Sequence, residues 1–216
     1  MTSGLKRVAL AALASAALAT QLTACFPVVA GGAVMTGLMA TDRRTSGTQV
    51  EDEGIELRAV NRVHDALGDG VHVNITSYNR KVLLTGEAST AEARQKTEEI
   101  VSHVENVQGV YNEMVVGLSS TLSERSSDTL ISGKVKASLV DAHDLISNAF
   151  KVVTERKVVY LMGRVTEREA NRATEVARGV DGVKKVVRLF EIISEDTLKN
   201  ELPTPPQTST PPKSGG

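Results

Sequence analysis

The sequence contains two copies of one pattern. Val-Leu-Leu-Thr-Gly at residues 82–86 matches Val-Tyr-Leu-Met-Gly at residues 159–163. At the same separation, a hydroxyl residue followed three positions later by Glu occurs at Ser89 and again at Thr166. That combination is typical of a capping box at a helix N-terminus. A repeat of this length predicts two tandem modules in the 216-residue chain.

The repeat continues with a small change in spacing. Gly109-Val110 matches Gly182-Val183 at a slightly shorter separation. The missing four residues fall inside the second predicted helix of each copy and amount to about one helical turn of ~3.6 residues. Because a whole-turn deletion keeps the apolar face of a helix in register, both copies can share one fold.

Each copy has the pattern of an α-β-β-α-β module. An amphipathic helix precedes two strands joined by a polar turn; a capped helix and a third strand follow, at residues 110–116 and 183–193. We predict an α+β fold of two tandem modules, each with a three-stranded mixed sheet covered on one face by two helices. Modules this small are marginal alone, so we expect the two to pack together. The predicted inward positions of the first helices are Leu57, Val60, Val63 and Leu67 in module one and Ile131, Val135 and Ser138/Leu139 in module two.

The N-terminus has the pattern of a bacterial export signal. Lys6 and Arg7 precede an apolar run that ends in Leu-Thr-Ala-Cys at residues 22–25. This ending resembles the lipobox of bacterial lipoproteins, in which the cysteine thiol carries diacylglycerol and its amine is acylated. Cys25 is the only cysteine of the chain, and two or more acyl chains give stable anchoring. The alternative is a buried or reactive cysteine in an uncleaved N-terminal helix.

The residue after the lipobox bears on the membrane to which the chain is sorted. Lipoproteins kept at the inner membrane usually carry Asp there, so Phe26 implies the inner leaflet of the outer membrane, facing the periplasm. The apolar residues 26–40 are fewer than the ~20 needed to cross a bilayer, which favours a tether. Five of the six prolines lie at or beyond Pro203, in a stretch whose composition is typical of disorder. The predicted organisation is a signal peptide at 1–24, lipidated N-terminus and tether at 25–50, module one at 51–118, linker at 119–125, module two at 126–194 and disordered Pro-rich tail at 195–216.

The module pattern resembles the BON domain, in which Val-x-Leu-x-Gly closes strand two and Gly-Val opens strand three. Two such modules behind a lipobox resemble the dual BON-domain outer-membrane lipoproteins of the DolP/YraP family of Gram-negative bacteria. Residues 40–50, 110–113 and 161–170 add to the resemblance. It implies a role in envelope integrity and enrichment at the division site. It also implies links to proteins of septal cell-wall remodelling or of outer-membrane assembly.

The sequence offers no constellation for catalysis. No two histidines stand three or four residues apart, so no helical metal-ligand pair exists, and there is no Gly-x-Ser-x-Gly elbow or phosphate-binding loop. We therefore predict a binding protein with no cofactor or metal, and not an enzyme. The four histidines, expected at the surface or its boundary, are His64, His72, His103 and His143.

The net charge of −1 conceals two unlike halves. Residues 51–118 hold six Lys/Arg against twelve Asp/Glu, a net of −6, whereas residues 126–193 hold twelve against nine, a net of +3. The overall charge indicates no affinity for nucleic acid. A basic surface near an anionic membrane gains roughly 1 kcal/mol per suitably placed Lys or Arg, which favours module two as the half that contacts lipid.

The first helix of module two, with a predicted cap at Ser127-Asp128, carries aliphatic residues and lysines outside its predicted core stripe. Such a face suits the boundary between headgroups and acyl chains. This helix resembles the one that contacts anionic phospholipid such as phosphatidylglycerol in the DolP/YraP family, which often carries Trp where this chain has Leu130. The alternatives are that Leu130 and Val140 pack on module one, or that the chain is a periplasmic protein–protein adaptor using a strand edge or acidic module one. The residues predicted to contact lipid are Leu130, Gly133, Lys134, Val135, Lys136 and Val140, with Val135 at the edge of the core stripe and shared with the outer surface.

Overall fold

The computed structural model describes residues 42–201. Cys25, the signal peptide, most of the tether and most of the Pro-rich tail lie outside these residues. Module one consists of α1 (Ser46–Leu67), β1 (Val71–Tyr78), β2 (Lys81–Ala88), α2 (Ala91–Ser102), β3 (Gly109–Asn112) and β4 (Val115–Val116). Module two consists of α3 (Leu122–Asp141), β5 (Lys151–Glu155), β6 (Val158–Val165), α4 (Glu167–Arg178) and β7 (Lys185–Ile192), followed by α5 (Glu195–Glu201).

The sheets have the predicted mixed topology. In module one β1 is antiparallel to β2, and β2 is parallel to β3; in module two β5, β6 and β7 repeat this order. The third strand of module one is interrupted after Asn112, where the buried Met114 turns into the core and its N–H donates to Asn112 Oδ1. Its last two residues form β4, which pairs with the end of β2. The α+β fold of two repeated modules is confirmed.

The glycine that closes strand two in each module is required by a close backbone approach. A Cβ at Gly86 would overlap the carbonyl oxygen of His72, and a Cβ at Gly163 would overlap that of Ala149. Gly86 also has a φ of 106°, a conformation that residues with a Cβ rarely adopt. The Val-x-Leu-x-Gly pattern therefore marks the point where the backbone of the preceding segment approaches the second strand too closely for a Cβ.

A buried aspartate of the first helix holds the hairpin turn of each module. The turn residues Asn79 and Arg80 have positive φ, and their N–H groups donate to Asp52. In module two, the N–H groups of Arg156 and Lys157 donate to Asp128 at 2.8 and 2.9 Å. Positive φ at both central residues is the requirement of a type I′ turn, which matches the twist of the flanking strands.

Alternate side chains of the second strands serve two cores. Val82 and Leu84 pack under the helices of module one, whereas Leu83 points the other way and meets Tyr160 and Met162 of module two. All three tyrosines of the chain lie in or against this cluster between the two sheets. Burial raises the pKa of Tyr78 and of Tyr160 to about 12. The expectation that the modules pack together is confirmed, and the layers run helices, sheet, sheet, helices.

The segment before α1 forms ion pairs with both modules. Arg43 reaches module two, where it donates to both carboxylate oxygens of Glu169 at 2.7 and 2.8 Å and to the carbonyl of Arg164. The side chains of this ion pair are almost fully buried. Arg44 binds Asp52 of module one at 2.8 Å and lies over the ring of Tyr78. These contacts give Arg43 and Arg44 a structural role in both modules.

The predicted inward face of α1 is partly wrong. Val63 is buried, but Leu57 and Val60 are 64% and 45% exposed, and the helix instead buries Ile55 and Ala59. The bonds of Asp52 to the hairpin turn set the rotation of α1 and direct this other stripe to the sheet. In module two, the predicted core positions Ile131, Val135 and Leu139 are all buried.

Several boundaries of helices in the structure differ from the predicted ones. Helix α3 begins at Leu122, so part of the linker predicted at 119–125 is helical. Residues 195–201 of the predicted tail form α5, which buries Leu198 and starts where Ser194 Oγ accepts from the N–H of Thr197. The N-cap of α2 is Thr90, one residue after the predicted Ser89, whose hydroxyl donates to the carbonyl of Gly70. The capping box predicted at Thr166 is present.

Candidate membrane-facing surface of module two

Helix α3 presents an aliphatic ridge on the side opposite its core. Leu122, Leu130 and Val140 are 75%, 68% and 61% exposed. At about 100° of rotation per residue, these three side chains share one side of the helix, and the buried stripe occupies the other side. That stripe consists of Asp128, Ile131, Val135 and Leu139.

A glycine without a structural reason lies within this ridge. Gly133 stands in the middle of α3, and a Cβ there would have no neighbour within 4 Å. Glycine inside a helix costs roughly 1 kcal/mol relative to alanine. Neither packing nor backbone geometry requires Gly133. The space left by its missing side chain is therefore open to a ligand that approaches the helix from outside.

Two lysines flank the ridge, and nearby acidic side chains offset little of their positive charge. Lys136 is exposed and forms no ion pair within residues 42–201. Lys134 lies 3.6 Å from Asp181, and both side chains are more than half exposed. Exposed pairs of this kind contribute little. The positive charge of this face therefore remains largely available to an external anion.

An open groove of about 620 Å³ runs between α3 and α4 beside the ridge. Lys134 and Ala137 line one side, and Arg172 and Gly179 line the other. Arg172 is held by Asp144 at 3.1 Å. Glu175 and Asp181 line the same groove, so beside the aliphatic ridge it combines apolar wall with cationic and acidic groups in equal number.

The hairpin turn of module two and the residue before β7 add further basic residues near the N-terminal end of α3. Lys157 and Lys184 line an open cavity beside α3, and neither forms an ion pair in the described part of the chain. Arg156 lines the same cavity but binds Glu87 of module one at 2.8 Å. Its charge is therefore used at the module boundary, and the two lysines share the cavity with the carboxylates of Glu124 and Asp128.

Glu87 is a buried carboxylate whose environment suits a structural role. It accepts from Arg156 and lies 3.1 Å from His72 Nδ1. Burial alone would raise the pKa of Glu87, but hydrogen bonds from the Ser120 backbone, His72 and Arg156 outweigh it and hold the pKa low. This stably ionised group joins the modules and is not poised to exchange a proton near neutral pH.

Five of the six predicted lipid contacts lie at the surface. Leu130, Gly133, Lys134, Lys136 and Val140 are exposed on α3.

The sixth, Val135, is wrong as a surface residue because it is fully buried. It lies one turn after Ile131 and one turn before Leu139, at the centre of the stripe that packs on the sheet.

Leu122 was missed because the helix was predicted to start near Ser127. The cap is Thr121, whose hydroxyl accepts from the N–H of Glu124, while the Glu124 carboxylate accepts from the N–H of Thr121 at 2.7 Å. The Thr-x-x-Glu signature of this capping box is visible in the sequence. It would have extended the helix and added Leu122 to the ridge.

Within residues 42–201, no group of three or more His, Cys, Asp and Glu side chains could hold a metal ion. The same part of the chain contains no helix with the length and apolar character needed to cross a membrane.

Comparison with known proteins identifies the modules and the architecture. The BON domain model matches residues 52–117 and 127–194. The outer membrane lipoprotein DolP of Haemophilus influenzae is 34% identical over 175 residues, which cover 80% of this chain and 90% of that protein. The 21 kDa hemolysin of Actinobacillus pleuropneumoniae is 36% identical over 154 residues, 70% of this chain and 79% of its own length.

A third relative shares a shorter stretch. The osmotically-inducible protein Y of Escherichia coli is 45% identical over 60 residues, 27% of this chain and 30% of that protein. None of these three names denotes an enzyme. With two matched BON domains and a DolP relative along most of its length, the chain belongs to the DolP/YraP family of dual BON-domain outer-membrane lipoproteins.

Proposed function

We propose that the chain binds anionic phospholipid through the exposed side of α3 while acylated Cys25 anchors it in the inner leaflet of the outer membrane, facing the periplasm. Phosphatidylglycerol is the expected lipid. The observation that carries the proposal is the ridge of Leu122, Leu130 and Val140 beside two lysines without strong partners.

The composition of this surface suits a peripheral membrane contact. Fully burying a leucine or valine side chain is worth about 1.5–3 kcal/mol, and each lysine near an anionic surface adds about 1 kcal/mol. Partial burial of three aliphatic side chains with two lysines supports weak, reversible binding. Such binding becomes stable when a second membrane signal, here the lipid anchor, holds the protein nearby.

The length of the ridge favours a helix lying flat on the membrane. Leu122 and Val140 are 18 positions apart, which at ~1.5 Å per residue places them about 27 Å apart along α3. Only a helix parallel to the membrane plane brings both ends of the ridge to the same depth. Gly133 lies between them and leaves room for a headgroup to approach the backbone.

Vesicle flotation of the mature chain from residue 26, without its acyl anchor, tests the proposal. We expect binding to phosphatidylglycerol vesicles and not to phosphatidylcholine vesicles, weakened by salt because exposed charges are screened. Leu130→Glu should lower the vesicle-bound fraction at least tenfold. Leu57→Glu is the matched control, since it makes the same change at an exposed position of the corresponding helix α1.

Two outcomes contradict the proposal. One is no binding to phosphatidylglycerol vesicles at low salt, which favours the protein–protein adaptor. The other is an equal loss of binding in both variants, which assigns the effect to altered net charge and not to the α3 ridge.

The same surface accounts for the envelope role that the family resemblance implies. If lipid composition and curvature differ at the division site, an α3 that selects anionic lipid enriches the protein there. A fluorescent fusion of the full lipoprotein should concentrate at the septum, and its Leu130→Glu variant should spread along the envelope. A variant that keeps its septal enrichment despite lost vesicle binding would show that another contact directs localisation.

A further inference from the structure

The corresponding helix of module one also presents an aliphatic ridge to the outside. Val50 and Leu57 are 69% and 64% exposed, and Val60 is 45% exposed. These three side chains share one side of α1, opposite Ile55 and Ala59, which pack on the sheet. Isolated exposed aliphatic residues are ordinary, but three along one helix face form a surface that a partner can cover.

The charge around this ridge is negative. Glu53, one turn before Leu57, and Asp65, at the end of the same side, are exposed and form no ion pair or hydrogen bond within residues 42–201. The neighbouring Arg58 and Arg62 do not offset them. Their guanidinium groups bind Glu51 at 2.6 Å and Glu105 at 2.7 Å, respectively.

We infer that the exposed side of α1 is a docking surface for a protein segment that carries aliphatic side chains flanked by Lys or Arg. The ridge supplies apolar contact, and the two carboxylates without partners supply charge complementarity. This surface is independent of the lipid contact on α3.

The other occupants of an apolar helix face fit less well. An anionic leaflet is repelled by Glu53, Asp65 and the net charge of −6 on module one. A second copy of the chain docking face to face would bring the same carboxylates together. Complementary charge on a protein segment avoids both penalties and also selects against wrong partners.

The size of the ridge sets the kind of interaction. Val50 and Val60 are ten residues apart, about 15 Å along the helix axis at ~1.5 Å per residue. About three turns of an amphipathic helix laid along α1 would cover this length. An interface of one helix face is below the size of stable complexes and suits a weak, transient contact.

Two synthetic helical peptides test the inference on the isotope-labelled chain from residue 26. Both carry Leu at helical spacing on one side; one has Lys at the flanking positions and the other has Glu. We expect the Leu/Lys peptide alone to shift NMR signals of α1 between Val50 and Asp65. Charge reversal by Glu53→Lys together with Asp65→Lys should weaken its binding at least tenfold, as should Leu57→Glu.

Asp69→Lys provides the matched control for each single reversal, Glu53→Lys or Asp65→Lys, because Asp69 is an exposed acid of module one that also has no partner within residues 42–201. The inference is overturned if Asp69→Lys weakens binding as much as either single reversal, since the peptide then follows net charge only. Three further outcomes overturn the inference. They are NMR shifts outside α1, dimerisation of the chain through the α1 ridge, and peptide binding that occurs only after residues 203–216 are removed.

Photocrosslinking in cells separates this surface from the lipid contact. A photoreactive residue at position 57 should yield a protein adduct whose crosslinked peptide contains aliphatic and basic residues. The same residue at position 130 should yield lipid adducts. A lipid adduct at position 57, or an acidic crosslinked peptide, contradicts the inference without affecting the proposal for α3.

Discussion

Helices α1 and α3 occupy the same place in the two modules, and they differ almost only on their outer sides. Their buried positions correspond at one constant separation along the chain and keep one chemical pattern of Asp followed by three apolar residues. Each helix packs on its sheet through the three apolar residues and binds its hairpin turn through the Asp, so both helices require the same pattern. The corresponding pairs are Asp52 and Asp128, Ile55 and Ile131, Ala59 and Val135, and Val63 and Leu139.

The outer sides are free of this constraint and have diverged in charge. At the position where α1 has the exposed Leu57, α3 has Gly133, and where α1 has Gly54, α3 has Leu130. Arg58 of α1 is bound by Glu51, whereas its counterpart Lys134 lies 3.6 Å from an exposed aspartate. The repeated scaffold thus presents two aliphatic ridges, one in an acidic and one in a basic setting.

The largest effect we expect comes from the shared buried aspartates. Asp128→Ala removes the acceptor of two turn N–H groups and should lower the free energy of unfolding by about 2–3 kcal/mol. Asp52→Ala should cost more, about 3–5 kcal/mol, because it also strips Arg44 and Ser77 of a partner. Urea unfolding followed by circular dichroism measures both.

Exposed Asp181→Ala is the control for the aspartate pair, with a change within about 0.5 kcal/mol. Equal losses at Asp52 and Asp128 would contradict the inferred contribution of Arg44 and limit both residues to holding the turns.

A loss smaller than that of Asp52→Ala is expected at the contact that Arg43, in the segment before α1, makes with module two. Arg43→Ala leaves Glu169 buried with only its capping bonds and should cost about 3 kcal/mol. The matched position in module one, Glu92, is exposed and has no such arginine. Glu92→Gln should therefore change the unfolding free energy by less than about 0.5 kcal/mol.

The effect of Arg43→Ala should depend on pH. Burial alone would raise the pKa of Glu169, but the bonds from Arg43 and Thr166 outweigh it, and the pKa lies below the ordinary value of 4.5. A carboxyl whose pKa is lower in the folded state contributes stability above its unfolded pKa and loses it as pH falls through the folded pKa. The gap between wild type and variant should be largest near pH 7 and shrink below about pH 4.5. A constant gap would contradict the ion pair as its source.

Much of this fold could be predicted from the repeat alone. Matching residues 82–86 with 159–163 located the second strands, and the regular spacing gave the order of elements and the mixed sheets. The core stripe of α3 was correct because its inward positions are apolar and closely spaced. The family resemblance, carried by local motifs, was confirmed by the two matched BON domains.

The errors arose where tertiary contacts override local pattern. In α1, apolar periodicity favoured Leu57 and Val60 as core positions, but a buried Asp bound to a turn 27 residues away sets the rotation of the helix. The contact of Arg43 with Glu169 spans 126 residues and leaves no periodic signal. Val135 was predicted at the edge of the core stripe and shared with the outer surface, but it lies at the centre of that stripe, between Ile131 and Leu139.

Removing one lysine should have a modest effect that separates the α3 ridge from the rest of the chain. Lys136→Gln should weaken binding to phosphatidylglycerol vesicles about fivefold, since one lysine near an anionic surface is worth about 1 kcal/mol. Lys96→Gln, on the exposed side of α2 in module one, should leave vesicle binding unchanged. Equal effects of the two substitutions in flotation would show that the whole chain, and not α3, responds to the membrane charge.

The smallest effect concerns two glycines. Gly133 of α3 stands at the position of Leu57 in α1, and Gly54 of α1 stands at the position of Leu130 in α3. Gly133→Ala should stabilise the protein by up to about 1 kcal/mol, because the helix gains propensity and the new methyl meets open space. Gly54→Ala should gain less, because its methyl would displace the guanidinium of Arg58 from its place beside Glu51. If Gly133 serves close approach of a headgroup, Gly133→Ala should also weaken vesicle binding while it raises the melting temperature, whereas Gly54→Ala leaves vesicle binding unchanged. A Gly133→Ala variant that is more stable and binds vesicles as well as wild type would show that the ridge contacts lipid through its aliphatic side chains alone.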